Sequence, residues 1–136
     1  IFGEKDVQQL KVIERMAADL LLGTEIIGAP TIRADDGLAL SSRNTYLNEK
    51  ERQIAPDLYR ALIRAKDAIA SGAEHQQATD QASRDIQDAG FASVDYIAYR
   101  ATTDLSNPQG PLAAGQGRLL AAAWLGSTRL IDNISA

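Results

Sequence analysis

The residues best suited to chemistry lie at two places in the chain, and both can bind phosphate. Ser41 and Ser42 offer hydroxyl donors, and Arg43 offers a planar guanidinium with five N–H donors, a set that matches phosphate oxygens. Residues 33–44, which contain them, fit neither a helical nor a strand pattern. A polar surface loop without a ligand would look the same, so this segment alone leaves both interpretations open.

The second place is the beginning of the chain. Phe2 could end a buried strand, Gly3 is a turn residue, and Glu4-Lys5-Asp6 could form the first turn of a helix. Free N–H groups and the helix dipole favour negative charge at such a corner, and Lys5 would add a mobile positive charge. The two places are therefore two candidate phosphate sites, and the second has the pattern of a nucleotide-binding corner.

Composition limits the partners. Lys and Arg number 14 against 18 Asp and Glu, so the net charge of −4 has the wrong sign for a nonspecific binder of nucleic acid or anionic membrane. The absence of cysteine and the single histidine, His75, exclude disulfides and thiolate or multi-histidine metal sites. His75 is expected to be solvated. No apolar run is long enough to cross a bilayer, and we expect a cytoplasmic protein with no nucleic-acid or membrane partner.

The opening residues have the pattern of a strand, a helix and a second strand. Apolar residues recur at helical spacing from Val7 to Leu21, which predicts an amphipathic helix that ends at Gly23. Residues 24–27 predict a short buried strand. We therefore assign residues 1–30 to the last β-α-β unit of a parallel sheet. Because the sequence opens inside this unit and lacks an initial methionine, we expect an N-terminal part to be missing.

Residues 31–136 predict a small α+β domain, in which helices cover one face of an antiparallel sheet. A first helix is expected after Asn48, with Glu51 as its capping partner, and a second from Pro56. A third is expected over residues 74–89. The fold class of the whole chain is therefore α/β with an α+β C-terminal domain.

The strands of this domain are indicated by two patterns. Alternation over residues 93–100 predicts a strand that places Val94 and Tyr96 on one face. After a turn-rich connection at residues 107–117, two apolar runs within residues 118–134 predict a closing hairpin.

Three separated motifs resemble one family. They are, in order, Phe2-Gly3-Glu4-Lys5-Asp6 with Gln8-Gln9, then Pro30-Thr31-Ile32-Arg33, then Asp36-Gly37-Leu38-Ala39-Leu40-Ser41-Ser42-Arg43-Asn44 with Tyr46-Leu47. Residues 122–126 and 129–133 fit the closing hairpin of the same family. The whole chain closely resembles the C-terminal half of the pantothenate synthetases, which are pantoate-β-alanine ligases.

The resemblance implies a two-step ligation. The pantoate carboxylate attacks the α-phosphorus of ATP to give pantoyl adenylate and pyrophosphate, and the amine of β-alanine then displaces AMP to give pantothenate. The implied fold is a Rossmann-like nucleotidyltransferase domain, represented by residues 1–30, and a C-terminal lid domain, residues 31–136, with a KMSKS-like loop at residues 38–44. Mg²⁺ is expected with ATP, and the full-length enzyme is expected to be a homodimer. The HIGH-type histidine motif of the family would precede Ile1, so the chain alone is expected to be inactive.

The resemblance also implies a role for each matching residue. The ATP-binding residues would be Gly3, Glu4, Lys5, Asp6, Ile32, Leu40, Ser41, Ser42 and Arg43. Catalysis would fall to Lys5, Ser41, Ser42 and Arg43, because they can stabilise charge on the phosphates. Asp6 could hold ribose hydroxyls or cap the helix, and Gln9 resembles the pantoate-binding glutamine of the family.

Two further expectations concern metal binding and an alternative function. No acidic cluster is a convincing metal site, and Asp35-Asp36 is expected to form a turn. The alternative is a noncatalytic nucleotide-binding or interaction module, in which the loop recognises phosphate without chemistry. Pantoate binding that depends on Gln9 would separate the ligase from such a module.

Overall fold

The computed structural model describes residues 1–110 and 112–136. Its strands and α-helices are β1 (Phe2–Gly3), α1 (Val7–Asp19), β2 (Gly28–Ala29), α2 (Glu49–Ile54), α3 (Asp57–Ala70), α4 (His75–Ala89), β3 (Ser93–Ala101), β4 (Gly117–Leu125) and β5 (Thr128–Ser135). Two short 3₁₀ helices, Glu4–Asp6 and Ser42–Tyr46, lie in the two segments that the sequence singles out for phosphate binding. The α/β class is confirmed.

A two-stranded parallel sheet opens the chain, and it corrects two predictions. Helix α1 ends at Asp19 rather than at Gly23, because the chain turns at Leu21, whose φ is +51°. The strand predicted at residues 24–27 is wrong, since β2 pairs Gly28 with Phe2 and Ala29 with Gly3. In that parallel register, residues 24–26 lie beyond the end of β1, and none of the described residues pairs with them as a strand.

The larger sheet has the strand order β3-β4-β5, all antiparallel, and α3 and α4 cover one face. Its core includes the fully buried side chains of Leu62, Ile86, Leu119 and Leu125. The hairpin prediction is confirmed, because β4 and β5 meet at the Leu125–Thr128 pair across a two-residue turn. Gly126 takes a φ of +56° there, as such turns require.

Strand β3 contains a β-bulge that the alternating sequence pattern did not reveal. Val94 pairs with Ala123 and Tyr96 with Ala122, so Asp95 is the extra residue. The bulge shifts the alternation by one position, and Val94 packs against the core together with Ile97. The predicted shared face of Val94 and Tyr96 is therefore wrong, and Asp95 is exposed.

The helix boundaries follow from local chemistry. The Asn48 side chain accepts from the Glu51 N–H at 2.9 Å while the Glu51 carboxylate accepts from the Asn48 N–H at 2.9 Å, which is the predicted capping pair. Pro56 is the N-cap of α3. In the turn-rich connection, residues 102–110 and 112–116 contain neither helix nor strand; Pro111 lies outside the described residues.

One side of the opening unit is apolar and exposed. Val12 is 67% exposed and Met16 46% exposed on α1, and Leu20 and Leu21 follow at 63% and 90%. Within residues 1–110 and 112–136, no helix is both long and apolar enough to cross a membrane.

Candidate nucleotide site

The two predicted phosphate-binding segments meet in one pocket of about 370 Å³. Its walls are Gly3, Lys5, Asp6, Gln9, Ser41, Arg43, Arg129, Leu130 and Ile131. The first four come from the opening turn and the start of α1, the next two from the loop, and the last three from β5. The structure therefore brings together both cationic side chains that the sequence analysis placed there, Lys5 and Arg43.

The Lys5 turn is held in place by the last strand. Asn133 of β5 donates from its side-chain amide to the main-chain oxygens of Glu4 and Lys5, at 2.8 and 2.9 Å. Asp6 caps α1 by accepting the Gln9 N–H at 3.1 Å, so the capping role is observed. A Cβ built on Gly3 would meet no atom within 4 Å, which leaves open space above that part of the backbone.

Lys5 lies in a partly buried, cation-rich environment. Burial lowers the pKa of its ammonium group below the ordinary value; Asp132 acts in the opposite direction, and the charges of Arg43 and Arg33 lower the pKa further. Such a group gains from an arriving anion, because the anion compensates the lost hydration of the ammonium.

Residues 33–37, the first part of the segment at residues 33–44, are anchored to the rest of the fold. Arg33 forms a bidentate ion pair with Asp132, with Nη1–Oδ2 and Nη2–Oδ1 distances of 2.7 and 2.9 Å. Its guanidinium also lies 4.0 Å from the centre of the Tyr59 ring. Gly37 has a φ of +94°, and a Cβ there would lie 2.5 Å from Tyr59 Cδ1. This glycine fits close against an aromatic ring in a fixed turn.

The second half of the loop carries the predicted phosphate ligands. The Ser41 hydroxyl accepts the Arg43 N–H at 3.2 Å and caps the 3₁₀ helix. Arg43 is exposed, and its Nη1 donates to the Arg129 carbonyl at 3.4 Å, a long bond that a stronger anionic acceptor can replace.

Four predicted ATP-binding residues lie outside the walls of this pocket: Glu4, Ile32, Leu40 and Ser42. Ile32 and Leu40 are exposed apolar neighbours joined by a 2.8 Å backbone hydrogen bond. The Glu4 side chain lies beside Gly28, within 3.3 Å of the position that a Cβ would take there. Ser42 is exposed, and its carbonyl accepts the Thr45 hydroxyl.

Arg129 is a pocket residue that the sequence analysis did not assign to the site. It follows the hairpin turn at the start of β5, and its motif was interpreted only as part of a closing hairpin. A basic side chain beside a tight Gly-Ser turn was the available signal. Its approach to Lys5 and Arg43 depends on how β5 packs against the opening turn.

The residues present do not make a Mg²⁺ site. The pocket walls hold three cationic side chains, Lys5, Arg43 and Arg129, and one carboxylate, Asp6. Among the described residues, no three or more His, Cys, Asp or Glu side chains cluster as metal ligands. The Asp35-Asp36 turn is observed, with Asp36 accepting from the Leu38 N–H and from Arg52. The described residues therefore offer no protein ligand set for Mg²⁺.

Known proteins resemble this chain over almost its whole length. The family model described as pantoate-beta-alanine ligase matches residues 1–135. The chain belongs to the pantoate-β-alanine ligase family. The pantothenate synthetase of Caulobacter vibrioides is 53% identical to it over 136 residues, covering 99% of this chain and 48% of that protein. The pantothenate synthetase of Rhodopseudomonas palustris strain HaA2 is 52% identical over 135 residues, covering 99% and 47%.

Solved structures of pantoate-β-alanine ligases have the same fold. The pantothenate synthetase from Thermus thermophilus superimposes with a TM-score of 0.82 at 39% identity, over 98% of this chain and 48% of that one. The pantoate-beta-alanine ligase from Francisella tularensis, complexed with beta-gamma ATP and beta-alanine, gives a TM-score of 0.70 at 30% identity, over 98% and 42%. This chain spans about half the length of these family members.

Proposed function

We propose that this chain supplies the phosphate-binding and pantoate-contacting part of an ATP-dependent pantoate-β-alanine ligase. In the first step, the adenylyl group of ATP is transferred to the carboxylate of pantoate, which gives pantoyl adenylate and releases pyrophosphate. In the second step, the pantoyl group is transferred to the amine of β-alanine, and AMP is released. The observation that carries the proposal is the pocket shared by Lys5 and Arg43, in a chain of this family. Its cations suit a triphosphate whose negative charge shifts during the reaction.

Five of the pocket residues have a task in this proposal. Lys5 stabilises the charge at the α-phosphate, and the open space above Gly3 lets the nucleotide approach the backbone. Ser41 and Arg43 bind the outer phosphates when the loop, residues 38–44, closes. Gln9 donates to and accepts from the hydroxy-acid. Ser42, Glu4, Ile32 and Leu40 would reach ATP only after a change in the loop or through the rest of the enzyme.

Complete turnover is proposed to need a further part of the enzyme. Residues 1–30 would complete a Rossmann-like domain whose other strands precede Ile1, and residues 31–136 would form the lid domain. Two observations support this division: residues 24–26 have no partner strand, and the face around Val12 and Met16 is apolar and exposed. The chain alone is then inactive, and pantothenate formation at a full-length rate by residues 1–136 would contradict this part of the proposal.

Location and assembly complete the proposal. A cytoplasmic homodimer is proposed for the full-length enzyme, with most of the interface outside this chain. Light scattering of the full-length enzyme and of this chain at matched concentrations would compare their masses. A full-length monomer would contradict the proposed assembly.

Two neighbouring glutamines provide the test of the proposed function. Gln9 lines the pocket, whereas Gln8 points to β3, where its Oε1 accepts from the Tyr96 hydroxyl at 3.2 Å. In the full-length enzyme, Gln9→Ala should raise the KM for pantoate about tenfold or more, since a polar contact with a charged substrate is lost. Gln8→Ala should leave it within about twofold. Equal effects of the two changes, or no pantoate-dependent turnover in the parent enzyme, would refute the proposal.

A further inference from the structure

Arg129 is held at the pocket by a small network around the β-bulge. Its Nε donates to Asp95 Oδ2 at 2.7 Å, and the other oxygen of the same carboxylate accepts from Trp124 Nε1 at 3.1 Å. The bulge makes Asp95 available for this, because it leaves that residue outside the regular ladder of β3. Asp95 thus holds Arg129 at its inner nitrogen, and the guanidinium has four more N–H donors on its two terminal nitrogens.

The position of Arg129 along the pocket identifies which part of a nucleotide it would meet. Arg43 and Arg129 also line a second hollow of about 560 Å³, with Tyr46, Trp124, Ser127 and Thr128. Gly3, Lys5 and Gln9 line only the first of these two hollows. The two arginines therefore border both hollows, whereas Gln9 borders only the first.

The chemistry of the proposed reaction makes that end specific. A carboxylate oxygen forms a bond to the α-phosphorus as the bond from that phosphorus to the oxygen between the α- and β-phosphates breaks, and that oxygen leaves with pyrophosphate. Attacking and leaving oxygens lie roughly in line. If Gln9 marks the side from which the acid attacks, pyrophosphate leaves on the side away from Gln9, and the second hollow, which Arg43 and Arg129 line and Gln9 does not, provides room for it.

We propose that Arg129 is a pyrophosphate-binding residue, aimed by Asp95, that stabilises the β- and γ-phosphates of ATP and the leaving pyrophosphate. Its place on the leaving-group side rests on the proposed function, whereas its ability to bind pyrophosphate does not. The hydrogen bond to Asp95 raises the pKa of Arg129 above its ordinary value, so the guanidinium stays charged. The planar guanidinium can donate to two phosphate oxygens at once, which the ammonium group of a lysine does not do with the same geometry.

Three ligands separate this role from a general effect of charge. Calorimetric titrations of the full-length protein with inorganic pyrophosphate, ATP and AMP would compare Arg129→Gln with the parent. Loss of charged hydrogen bonds should weaken pyrophosphate and ATP binding about ten- to hundredfold and leave AMP within about twofold, because AMP lacks the outer phosphates. Arg129→Lys should recover only part of the loss. Arg84→Gln is the control, because Arg84 is exposed on α4 outside both hollows.

The single tryptophan of the chain gives a second readout. Pyrophosphate that draws the Arg129 guanidinium toward the pocket should shift the Asp95 carboxylate. Because that carboxylate also accepts from the Trp124 indole N–H, the surroundings of the indole should change as well. Trp124 emission should therefore change with the same midpoint as the calorimetric titration, and this change should be lost in Arg129→Gln. Thermal unfolding of each variant would verify that the chain remains folded.

The outcomes that overturn the proposal are distinct from those that overturn the ligase. No pyrophosphate binding by the full-length parent protein, equal affinity in Arg129→Gln, or an equal loss for AMP and ATP would each refute the role of Arg129. None of these measurements uses pantoate. A failed pantoate assay with an intact pyrophosphate result would therefore reject the proposed function and leave Arg129 as a pyrophosphate ligand.

Discussion

Asn133 donates a 2.9 Å hydrogen bond to the main-chain carbonyl of Lys5, which joins the last strand of the chain to its opening turn. The same amide reaches the Glu4 carbonyl, and the Asn133 oxygen accepts from Arg118. The Asn133 side chain near the C-terminus therefore holds the main chain of the turn that carries Lys5. The site is a property of the packed chain and of neither motif alone.

Asn133→Ala should loosen this connection. The side chain is buried, so its removal leaves the Glu4 and Lys5 carbonyls without these donors and should lower the free energy of unfolding by about 1–3 kcal/mol. Pyrophosphate affinity should fall as well, because Lys5 is no longer held. Urea denaturation and calorimetry would measure both quantities. Asn107→Ala, in an exposed linker, is the control; if both variants lose the same stability, the connection has no energetic importance.

Gly37→Ala should destabilise the protein more than Gly72→Ala. Both glycines have a positive φ, +94° and +95°, so the backbone strain is similar. Only at Gly37 would the new Cβ collide, at 2.5 Å from Tyr59, whereas at Gly72 it would meet nothing within 4 Å. We expect about 1 kcal/mol for Gly72→Ala and about 1–3 kcal/mol more for Gly37→Ala, measured by urea denaturation. Equal losses would show that Tyr59 moves away without cost.

Arg33→Ala should cost more stability than Arg52→Ala. The Asp132 partner of Arg33 is only 4% exposed, so the change leaves a buried carboxylate without its cation. We expect the free energy of unfolding to fall by about 2–4 kcal/mol. This is below the range for fully buried pairs because Arg33 itself is 19% exposed. The pair between Arg52 and Asp36 is 40% and 34% exposed and should contribute about 1 kcal/mol or less. Urea midpoints at neutral pH would decide, and similar losses would argue that Asp132 finds another partner.

Lys5 should give the chain an alkaline pH dependence. Because the pKa of Lys5 is lower in the folded chain than the ordinary lysine value of 10.5, the unfolded chain binds more protons between those two values. Stability contributed by this group therefore rises with pH through that window, as the burial cost of the ammonium disappears. The free energy of unfolding of the wild type minus that of Lys5→Met should rise accordingly. A difference that stays flat or falls with pH would contradict the burial of a charged Lys5.

Some predictions succeeded because they depended on local chemistry. The Asn48–Glu51 capping pair and the turn at Gly126 are decided within a few residues, so they could be predicted from the sequence. Predictions that needed a partner strand were less accurate. Residues 24–27 have strand-forming side chains, but the register of β1 with β2 leaves residues 24–26 without the pairing that a strand needs.

The sequence by itself determined the family and three of the phosphate-binding candidates of the site. Lys5, Ser41 and Arg43 are residue types that commonly bind phosphate, and each belongs to a short contiguous motif that can be recognised in the sequence alone. Tertiary structure alone decided which side chains share a pocket, since β5 brings Arg129 there and a bulge supplies Asp95 to hold it. The physical reason is that strand register and packing are set by contacts between residues far apart in the chain.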